Sequence, residues 1–291
     1  MMRARACVLA LAACGESGAK PDSSTTTARC DQAAAFSAPV PMAELNTAGD
    51  DLAARLTPDE LTITFSRTSS NGTFDLFLAT RADDDAPFGA PMLLGTVNTI
   101  NSDVWSTLSP DGLLLMFDSD VTGAYHINAS RRASTGDAFG PPRPGLALRD
   151  GEVHPMIANA RSLYFASAAR PGAGAHDIWY TEVDSTGAMD TPVALAGGIN
   201  TADDEATPAV SADERHIYFR RTTASEADIY TASRSTTQDG FGAATKVDVV
   251  GVAGISETPS WSAADDCRLY FHSDAPNGSG GLDIYVARRG G

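Results

Sequence analysis

The sequence TLSPDGLLLMFDS, residues 107–119, has the pattern of two short strands joined by a tight turn. Its centre, SPDG (109–112), has turn chemistry, because proline presets its own φ and glycine permits a positive φ. The apolar run that follows, residues 113–117, has the length of a buried strand. The stretch therefore predicts a β-hairpin.

The same hairpin pattern recurs along the chain. The copies are LTPDELTITFS (56–66), LSPDGLLLMFDS (108–119), IANARSLYFAS (157–167), VSADERHIYFR (210–220) and WSAADDCRLYFHS (261–273). Each copy closes on a phenylalanine, and these residues, spaced 48 to 54 positions apart, are Phe65, Phe117, Phe165, Phe219 and Phe271. A unit that repeats every 20 to 50 residues or so is typical of propellers, solenoids and arrays.

Two more short segments follow the hairpins. The third segments are DLFLATR (75–81), YHINASR (125–131), DIWYTEV (177–183), DIYTASR (228–234) and DIYVARR (283–289). The fourth segments are FGAPMLL (88–94), FGPPRPG (139–145), MDTPVAL (189–195) and FGAATKV (241–247). Alternation and the β-branched and aromatic residues exclude a helical repeat. Each unit therefore has four short strands, named a to d here, and four strands per unit are typical of a β-propeller blade.

The two ends of the chain indicate how the ring closes. The last unit stops after strand c, at residues 283–289. Near the start of the chain, FSAPVPMAELNT (36–47) matches FGAPMLLGTVNT (88–99). We expect this N-terminal segment to supply strand d of the last blade, because closure removes the exposed edge of an open array. The predicted fold is all-β: five four-stranded blades in a closed ring, with almost no helix.

The N-terminus has the features of a targeting segment. Two arginines precede the short apolar core ACVLALAA (6–13), which is too short to span a bilayer. LAAC (11–14) resembles the lipobox of bacterial lipoproteins, in which the cysteine is lipidated after cleavage. We therefore expect a lipoprotein signal peptide in residues 1–13, a lipid-anchored flexible linker in 14–30 and the propeller in 31–291. The alternative is a plain signal peptide with an incidental Cys14.

The two cysteines outside this leader lie far apart in sequence. Cys267 falls in the a–b turn of the last unit, and Cys30 lies six residues before the predicted closing strand. Since neighbouring strands of a blade alternate in direction, both fall on one face of one blade. A Cys30–Cys267 disulfide would then close the ring, in a protein that faces an oxidising compartment. The alternative is two free thiols.

The units LSPDGLLLMF and DIY-x-A-x-R resemble the WD40-like repeat, often called PD40, of TolB-type propellers. The likeness covers about residues 36–291. Members of that family are commonly periplasmic or envelope proteins that bind other proteins or cell-wall-linked material, which implies a binding role here. The sequence departs from the pattern at Tyr125, which takes the place of the aspartate of DIY in the second unit. It departs again at 159–160, where Asn-Ala replaces part of the turn in the third unit.

An acidic residue precedes each strand a. The five are Asp51, Asp103, Glu152, Glu205 and Glu257, the last displaced by one position. Because strand a lines the channel of a propeller, we expect them to ring the channel mouth on one face, where converging carboxylates would attract cations or basic groups. The alternative is structural, each carboxylate accepting backbone N–H bonds within its own loop. A residue repeated in every blade serves the repeat more readily than a ligand.

Two tryptophans, Trp105 and Trp261, accompany these acids at or within strand a. An aromatic ring beside carboxylates suits stacking on a sugar or a peptide side chain, although Trp261 suits packing between blades equally well. The candidate ligand-binding residues are thus Asp51, Asp103, Trp105, Glu152, Glu205, Glu257 and Trp261. The histidines share no common position, and no zinc, C-x-x-C or calcium-loop motif is found, so we assign no metal ligand, cofactor or catalytic residue.

Composition narrows the class of partner. A net charge of −16 excludes a nucleic-acid backbone as the expected partner. Gly15, after the lipobox cysteine, favours the outer membrane by resemblance to envelope lipoproteins. The sequence therefore predicts a monomeric, periplasmic or surface-facing outer-membrane lipoprotein that touches the membrane through its anchor alone. Its expected role is a binding or scaffold module for an envelope protein or glycan.

Two other functions compete with a binding module. A glycoside hydrolase needs two carboxylates with distinct environments, and five near-equivalent acids single out no such pair. A lectin with one site per blade would need matching polar and aromatic residues in each blade, and the b–c loops differ too much for that.

Overall fold

The computed structural model describes residues 29–144, 149–184, 189–247, 257–262 and 265–290, and of residues 144, 257–258 and 260–262 only the backbone. Within it, the predicted hairpin is formed by strands Asp103–Leu108 and Leu114–Ser119, which pair antiparallel. The turn is closed by Ser109, whose hydroxyl accepts the Leu114 N–H at 2.9 Å. Gly112 has φ +68°, the left-handed conformation that glycine adopts at low cost.

Five such hairpins extend into five antiparallel four-stranded sheets, and no helix occurs among the described residues. In chain order the strands are β1 (Val40–Pro41), β2 (Asp51–Leu56), β3 (Thr62–Thr68), β4 (Phe74–Thr80), β5 (Met92–Leu93), β6 (Asp103–Leu108), β7 (Leu114–Ser119), β8 (His126–Arg131), β9 (Arg143–Pro144), β10 (Glu152–Ile157), β11 (Ser162–Ser167), β12 (Asp177–Glu182), β13 (Val193–Ala194), β14 (Asp204–Val210), β15 (His216–Thr222), β16 (Ala227–Ser233), β17 (Thr245–Lys246), β18 (Glu257–Ser262), β19 (Arg268–Ser273) and β20 (Asp283–Arg288). The predicted five-bladed propeller is confirmed. No helix in the described part of the chain is long and apolar enough to cross a membrane.

Blades 1 to 4 follow in sequence as β2–β5, β6–β9, β10–β13 and β14–β17, and blade 5 combines β18–β20 with β1. In blade 5, Val40 pairs with Val286 and Pro41 with Tyr285. The N-terminal segment is therefore the fourth strand of the last blade, as predicted, and the ring closes without an open edge. The disulfide between Cys30 and Cys267, with Cα atoms 5.7 Å apart, crosses the same blade and confirms the predicted pairing.

Aromatic residues at equivalent positions form the core between blades. The closing phenylalanines of all five hairpins have no solvent exposure. In blades 1, 4 and 5 each stacks on the aromatic residue of strand c, with ring centroids 5.8 to 6.1 Å apart. Burial of one phenylalanine contributes about 2 kcal/mol, so the repeated ring, with its neighbours, supplies much of the stability.

In four blades, an arginine at the end of strand c binds the a–b turn of the same blade. Its Nε donates to the carbonyl of the fourth residue of the a–b turn, which has a positive φ in all four cases. Its guanidinium also lies over the phenylalanine that leads into strand d, 4.0 to 4.5 Å from the ring centroid. The arginine–turn pairs are Arg81–Glu60, Arg132–Gly112, Arg234–Glu214 and Arg289–Asp266. This contact accounts for the final arginine of the repeated DIY-x-A-x-R pattern.

Tyrosines of strand b connect each of blades 3, 4 and 5 to the next blade. The hydroxyl of Tyr218 in blade 4 donates to Asp266 of blade 5 at 2.5 Å. Tyr270 of blade 5 donates to Glu60 of blade 1 at 3.4 Å, and Tyr164 of blade 3 accepts from Arg234 of blade 4 at 3.1 Å. At all three boundaries the hydroxyl accepts from the arginine at the end of strand c of the next blade, at 3.1 to 3.4 Å, so the ring-closing boundary shares this contact with two boundaries inside the chain.

Two details of the repeat alignment are corrected by the strand register. In blade 2, His126 pairs with Ser119 just as Asp283 pairs with Ser273, so His126 and not Tyr125 takes the place of the DIY aspartate. Tyr125 lies one residue before strand c. Glu257 is not displaced, because it pairs with Ser273 at the same separation as the acids of blades 1, 2 and 4 from their partners. The acid that differs is Glu152 of blade 3, which pairs with Ser167 across a shorter a–b turn.

Candidate functional site

A cavity of about 590 Å³ opens where strands a begin and strands b end, at one mouth of the central channel. We call it the channel site. It is lined by Leu52, Phe74, Val104, Trp105, Asp118, Ala124, Tyr125, Gly151, Val153, His154, His176, Arg220, His272 and Leu282. All five blades contribute to this wall, so the site depends on the closed ring.

The channel site is shaped by a bulge in strand a. In each blade the a–b register shifts near the start of strand a. In blades 1 to 4, the residue two positions after the acid has a φ of 52° to 58°; these residues are Ala53, Trp105, His154 and Thr207. Left-handed conformations cost non-glycine residues of order 1 kcal/mol or more and gather at functional sites, where a bulge re-aims side chains. Here the bulge places Trp105 and His154 in the cavity wall.

A second position of the repeat lies against this bulge. It directly follows the closing phenylalanine of strand b, and its residues are Ser66, Asp118, Ala166, Arg220 and His272. Three of them accept the N–H of the left-handed residue in the next blade: Trp105 to Ser66 Oγ at 3.3 Å, His154 to Asp118 Oδ2 at 2.7 Å and Ala53 to His272 Nδ1 at 3.3 Å. These bonds couple neighbouring blades at the channel mouth.

At the boundary of blades 4 and 5, neither position has a residue that can form this bond. Arg220 has donors only, so it cannot accept an N–H. The following blade has Pro259 at the corresponding position of strand a, and proline has no N–H to donate. The usual inter-blade bond therefore cannot form here, and Arg220 lines the cavity.

Trp105 lies between two histidines in the cavity wall. Its ring centroid is 4.7 Å from that of His154, edge to face, and 5.4 Å from that of His272. The guanidinium of Arg55 lies 6.0 Å from the Trp105 ring. Burial, with a smaller contribution from nearby positive groups, lowers the pKa of His154 and of His272 to about 3. Both imidazoles are therefore neutral near pH 7 and offer hydrogen bonds rather than charge.

Asp118 supplies a carboxyl group to the channel site. Burial raises its pKa well above the usual range, while the His154 N–H and the charge of Arg55 oppose that shift. Burial also lowers the pKa of Arg55 to about 9, against the attraction of Asp118. Of the carboxylates in the described part of the chain, Asp118 is the one that lines the cavity. Within the same residues no three potential metal ligands come together.

The predicted acidic residues lie behind the cavity wall and not on it. Asp51, Asp103, Glu152 and Glu205 are fully buried and are absent from the lining of the channel site. Each accepts a backbone N–H from its own d–a loop at 2.6 to 2.8 Å; the donors are Thr47, Thr99, Arg149 and Thr201. This is the arrangement that the structural alternative describes. A ligand role for these four stays a prediction.

Three of these buried carboxylates form ion pairs with arginines from strand b or the b–c loop. Asp51 pairs with Arg67 at 2.6 Å, Glu152 with Arg170 at 2.5 Å and Glu205 with Arg221 at 2.8 Å. Burial raises the pKa of Asp51 and Asp103, and their hydrogen bonds oppose it. Through its backbone N–H bond each of these carboxylates holds its loop in place, so these acids shape the mouth from behind.

Trp105 is the predicted site residue that the structure places in the cavity wall. Glu257 and Trp261 lie in β18, but their side chains fall outside the described residues, as does the whole of the predicted leader with Cys14. Sequence reasoning missed Arg55, Asp118, His154, Arg220 and His272. A signal for four of them, all but Arg55, was present, because the position after the closing phenylalanine and the second position after the acid vary while their surroundings repeat.

The fold and the cavity define a five-bladed β-propeller with a site at the mouth of its channel. No protein-family model and no curated protein matches the sequence. Among solved structures, the chain is similar to a GH43_1 enzyme from Xanthomonas citri, with 15% identity over 86% of this chain and 90% of that one and a TM-score of 0.60. It is also similar to a β-1,2-mannobiose phosphorylase from Listeria innocua, with 8% identity, 86% and 95% coverage and a TM-score of 0.59.

The structural neighbours also include TolB from Acinetobacter baumannii, with 13% identity, 83% of this chain covered and a TM-score of 0.54. The chain spans 56% of the length of that protein. Likeness at these identities establishes the fold alone, because one propeller fold carries many unrelated functions.

Proposed function

We propose that the protein is a cell-envelope binding module and that its ligand enters the channel site. The observation that carries this proposal is the composition of the cavity wall: among the described residues, aromatic side chains, imidazoles and the guanidinium of Arg220 surround a single carboxyl group, that of Asp118. Aromatic and apolar walls with a few convergent polar groups are the usual form of a small-ligand site. The ligand is a glycan or a segment of an envelope protein.

The cavity suits binding in size and in rigidity. Its volume of about 590 Å³ falls within the range of small-molecule sites. Trp105, His154 and Asp118 are fixed by inter-blade hydrogen bonds and ring contacts before any ligand arrives. A preorganised wall loses less conformational entropy when a ligand binds.

Glycoside hydrolysis is the second candidate, and the observation that favours it is Asp118 itself. A carboxyl group whose pKa burial raises is the form that a general acid takes. Hydrolysis also needs a second carboxylate, within about 5 to 10 Å of the first. A hydrolase would turn over glycan substrates, and Asp118→Asn would abolish turnover. Binding without turnover favours the binding module.

We further propose that the repeats are of the PD40 type and that Cys14 carries a lipid anchor holding the propeller at the outer membrane as a monomer. The support is the LAAC motif and the polar linker that follows it. Labelling of the full-length chain with a radioactive fatty acid, followed by membrane fractionation, tests the anchor. Label in the wild type but not in Cys14→Ser supports it, and an unlabelled wild type contradicts it.

The binding proposal is tested by capture of envelope glycans and envelope proteins on the immobilised protein. Wild type, Trp105→Ala and Val193→Ala are compared; Val193 is exposed on the outer strand of blade 3, away from the cavity. We expect the wild type and Val193→Ala to capture the same component and Trp105→Ala to lose it. Equal capture by all three variants would place the binding surface outside the channel site.

A further inference from the structure

Basic side chains outnumber carboxyl groups in the wall of the channel site, although the chain has a net charge of −16. Two arginines, Arg55 and Arg220, act on it; after burial, their charges are among the causes that lower the pKa of His154 and His272. Asp118 is the one carboxyl group that lines the cavity within the described residues. Since the pKa of His154 and of His272 is about 3, both are neutral near pH 7, and the two guanidinium groups outnumber the one carboxyl group.

Arg220 is the source of this excess. In the described part of the chain its side chain makes no hydrogen bond or ion pair, and its Nε atom is buried without a hydrogen-bond partner. Its neighbour Arg221 shows the contrast, since that side chain donates to Glu205 at 2.8 Å and to the carbonyl of Ile199 at 2.9 Å. A half-buried guanidinium with unmade bonds is unfavourable in the free protein, so a ligand that pairs with it gains affinity.

We propose that the channel site binds an acidic sugar, whose carboxylate pairs with Arg220 and whose ring lies against Trp105. The proposal rests on the proposed function, because it names the ligand class of the same cavity. A planar guanidinium matches a carboxylate with two parallel hydrogen bonds, and the face of an indole matches the C–H face of a sugar ring. Both side chains line one cavity.

A singly charged ligand fits this wall better than a phosphate does. Arg220 offers one positive group that is unpaired among the described residues, and the attraction of Arg55 is shared with Asp118. A second negative charge on the ligand would lie in the same cavity as the Asp118 carboxyl group. Among the described lining residues it would meet no second guanidinium, and an unpaired charge in a cavity of low dielectric is unfavourable. The carboxylate of a uronic acid carries a single charge and avoids this cost.

The test is isothermal titration of the full-length protein with a panel of uronic-acid disaccharides and with the neutral parent of each. We expect the best acid to bind at least about tenfold more tightly than its parent, the factor of one charge-assisted hydrogen bond. Arg220→Gln removes that preference and leaves the affinity for the neutral sugar unchanged. Arg215→Gln, which removes the same charge from an exposed position in the a–b turn of the same blade, keeps the preference.

Two results would overturn the acidic-sugar proposal. Either the neutral parents bind as tightly as the acids, or the preference survives in Arg220→Gln; in both cases a Trp105-dependent sugar still binds, and the proposed function stands. Absence of binding by every disaccharide overturns it as well, while capture of an envelope protein through Trp105 would still support the binding module. Since Arg220 has no side-chain partner to lose among the described residues, thermal unfolding should show Arg220→Gln as stable as the wild type.

Discussion

The backbone N–H of His154 in blade 3 donates to the carboxyl group of Asp118 in blade 2 at 2.7 Å. His154 has a left-handed backbone, and Asp118 directly follows the closing phenylalanine of its own hairpin. One bond thus joins two blades and holds two residues of the channel wall. The repeat uses the same pair of positions at other boundaries, so the parts that hold the ring together also form the site.

Removal of the Asp118 carboxyl group should destabilise the fold. Asp118→Ala leaves the buried N–H of His154 without its acceptor and removes the charge that attracts Arg55, for an expected loss of about 3 kcal/mol or more. Asp118→Asn removes the same charge but keeps an acceptor for the His154 N–H, so it should lose less than Asp118→Ala. Urea unfolding measures both. Asp150→Ala, at an exposed position, is the control; equal stability of all three variants would contradict a structural role for this bond.

The tyrosine contacts between blades predict a second stability effect. Tyr218→Phe removes the donor to the buried carboxylate of Asp266, and we expect a loss of about 1 to 3 kcal/mol in the free energy of unfolding. Tyr125→Phe, at an exposed position, should have no effect. Thermal unfolding of the two variants measures the difference. A Tyr218→Phe protein as stable as the wild type would show that Arg289 alone satisfies Asp266.

The strained backbone of strand a predicts a substitution that stabilises. Thr207 is β-branched, has φ 52° and buries a hydroxyl with no hydrogen-bond partner in the described residues. Thr207→Gly should therefore raise the free energy of unfolding by about 1 kcal/mol. The same change at Thr245, exposed in an ordinary strand, should lower it by about 0.5 to 1 kcal/mol. Chemical denaturation gives both signs, and a loss at both positions would argue against strain at Thr207.

The neutral histidines predict a pH dependence of stability. The pKa of His154 is about 3 in the folded protein and about 6.5 when unfolded, so the unfolded chain binds the extra proton between these values. This term therefore lowers stability as the pH falls below about 6.5. Between pH 7.5 and pH 5 it amounts to at most about 2 kcal/mol.

Urea unfolding of wild type and His154→Gln at these two pH values isolates the histidine, because the opposite effect of the raised pKa of Asp118 is common to both proteins. Relative to the wild type, His154→Gln should have a higher free energy of unfolding at pH 5 than at pH 7.5. A difference that does not change with pH would mean that His154 has the same pKa in the folded and unfolded protein.

Much of the fold follows from the repeat. The closing phenylalanines, the turn chemistry around Gly112 and the match of residues 36–47 with 88–99 predict five blades, the closing strand and the Cys30–Cys267 disulfide. Each of these features depends either on local sequence or on the place of a segment in the repeat. The wrong assignment of Tyr125 arose because an aromatic residue stands beside the true position, His126, and strand pairing alone decides between them.

The channel site is harder to predict from the sequence than the fold. A search for residues common to all repeats found the acids, which recur because each one holds the d–a loop of its own blade. Asp118, Arg220 and His272 occupy one repeat position and differ in chemistry, so a search for likeness passes over them. Their meeting with Trp105 depends on the bulge in strand a, and the sequence has no glycine there to mark the left-handed turn.

The central claim is that ligands bind in the channel site, and the indole N–H resonances of the three tryptophans test it most directly. Trp105 lines the cavity, whereas Trp179 is buried in strand c of blade 3. When a captured glycan or protein segment is titrated into the labelled protein, we expect the Trp105 resonance to shift and that of Trp179 to stay in place. Saturable binding that leaves the Trp105 resonance unmoved would contradict the account.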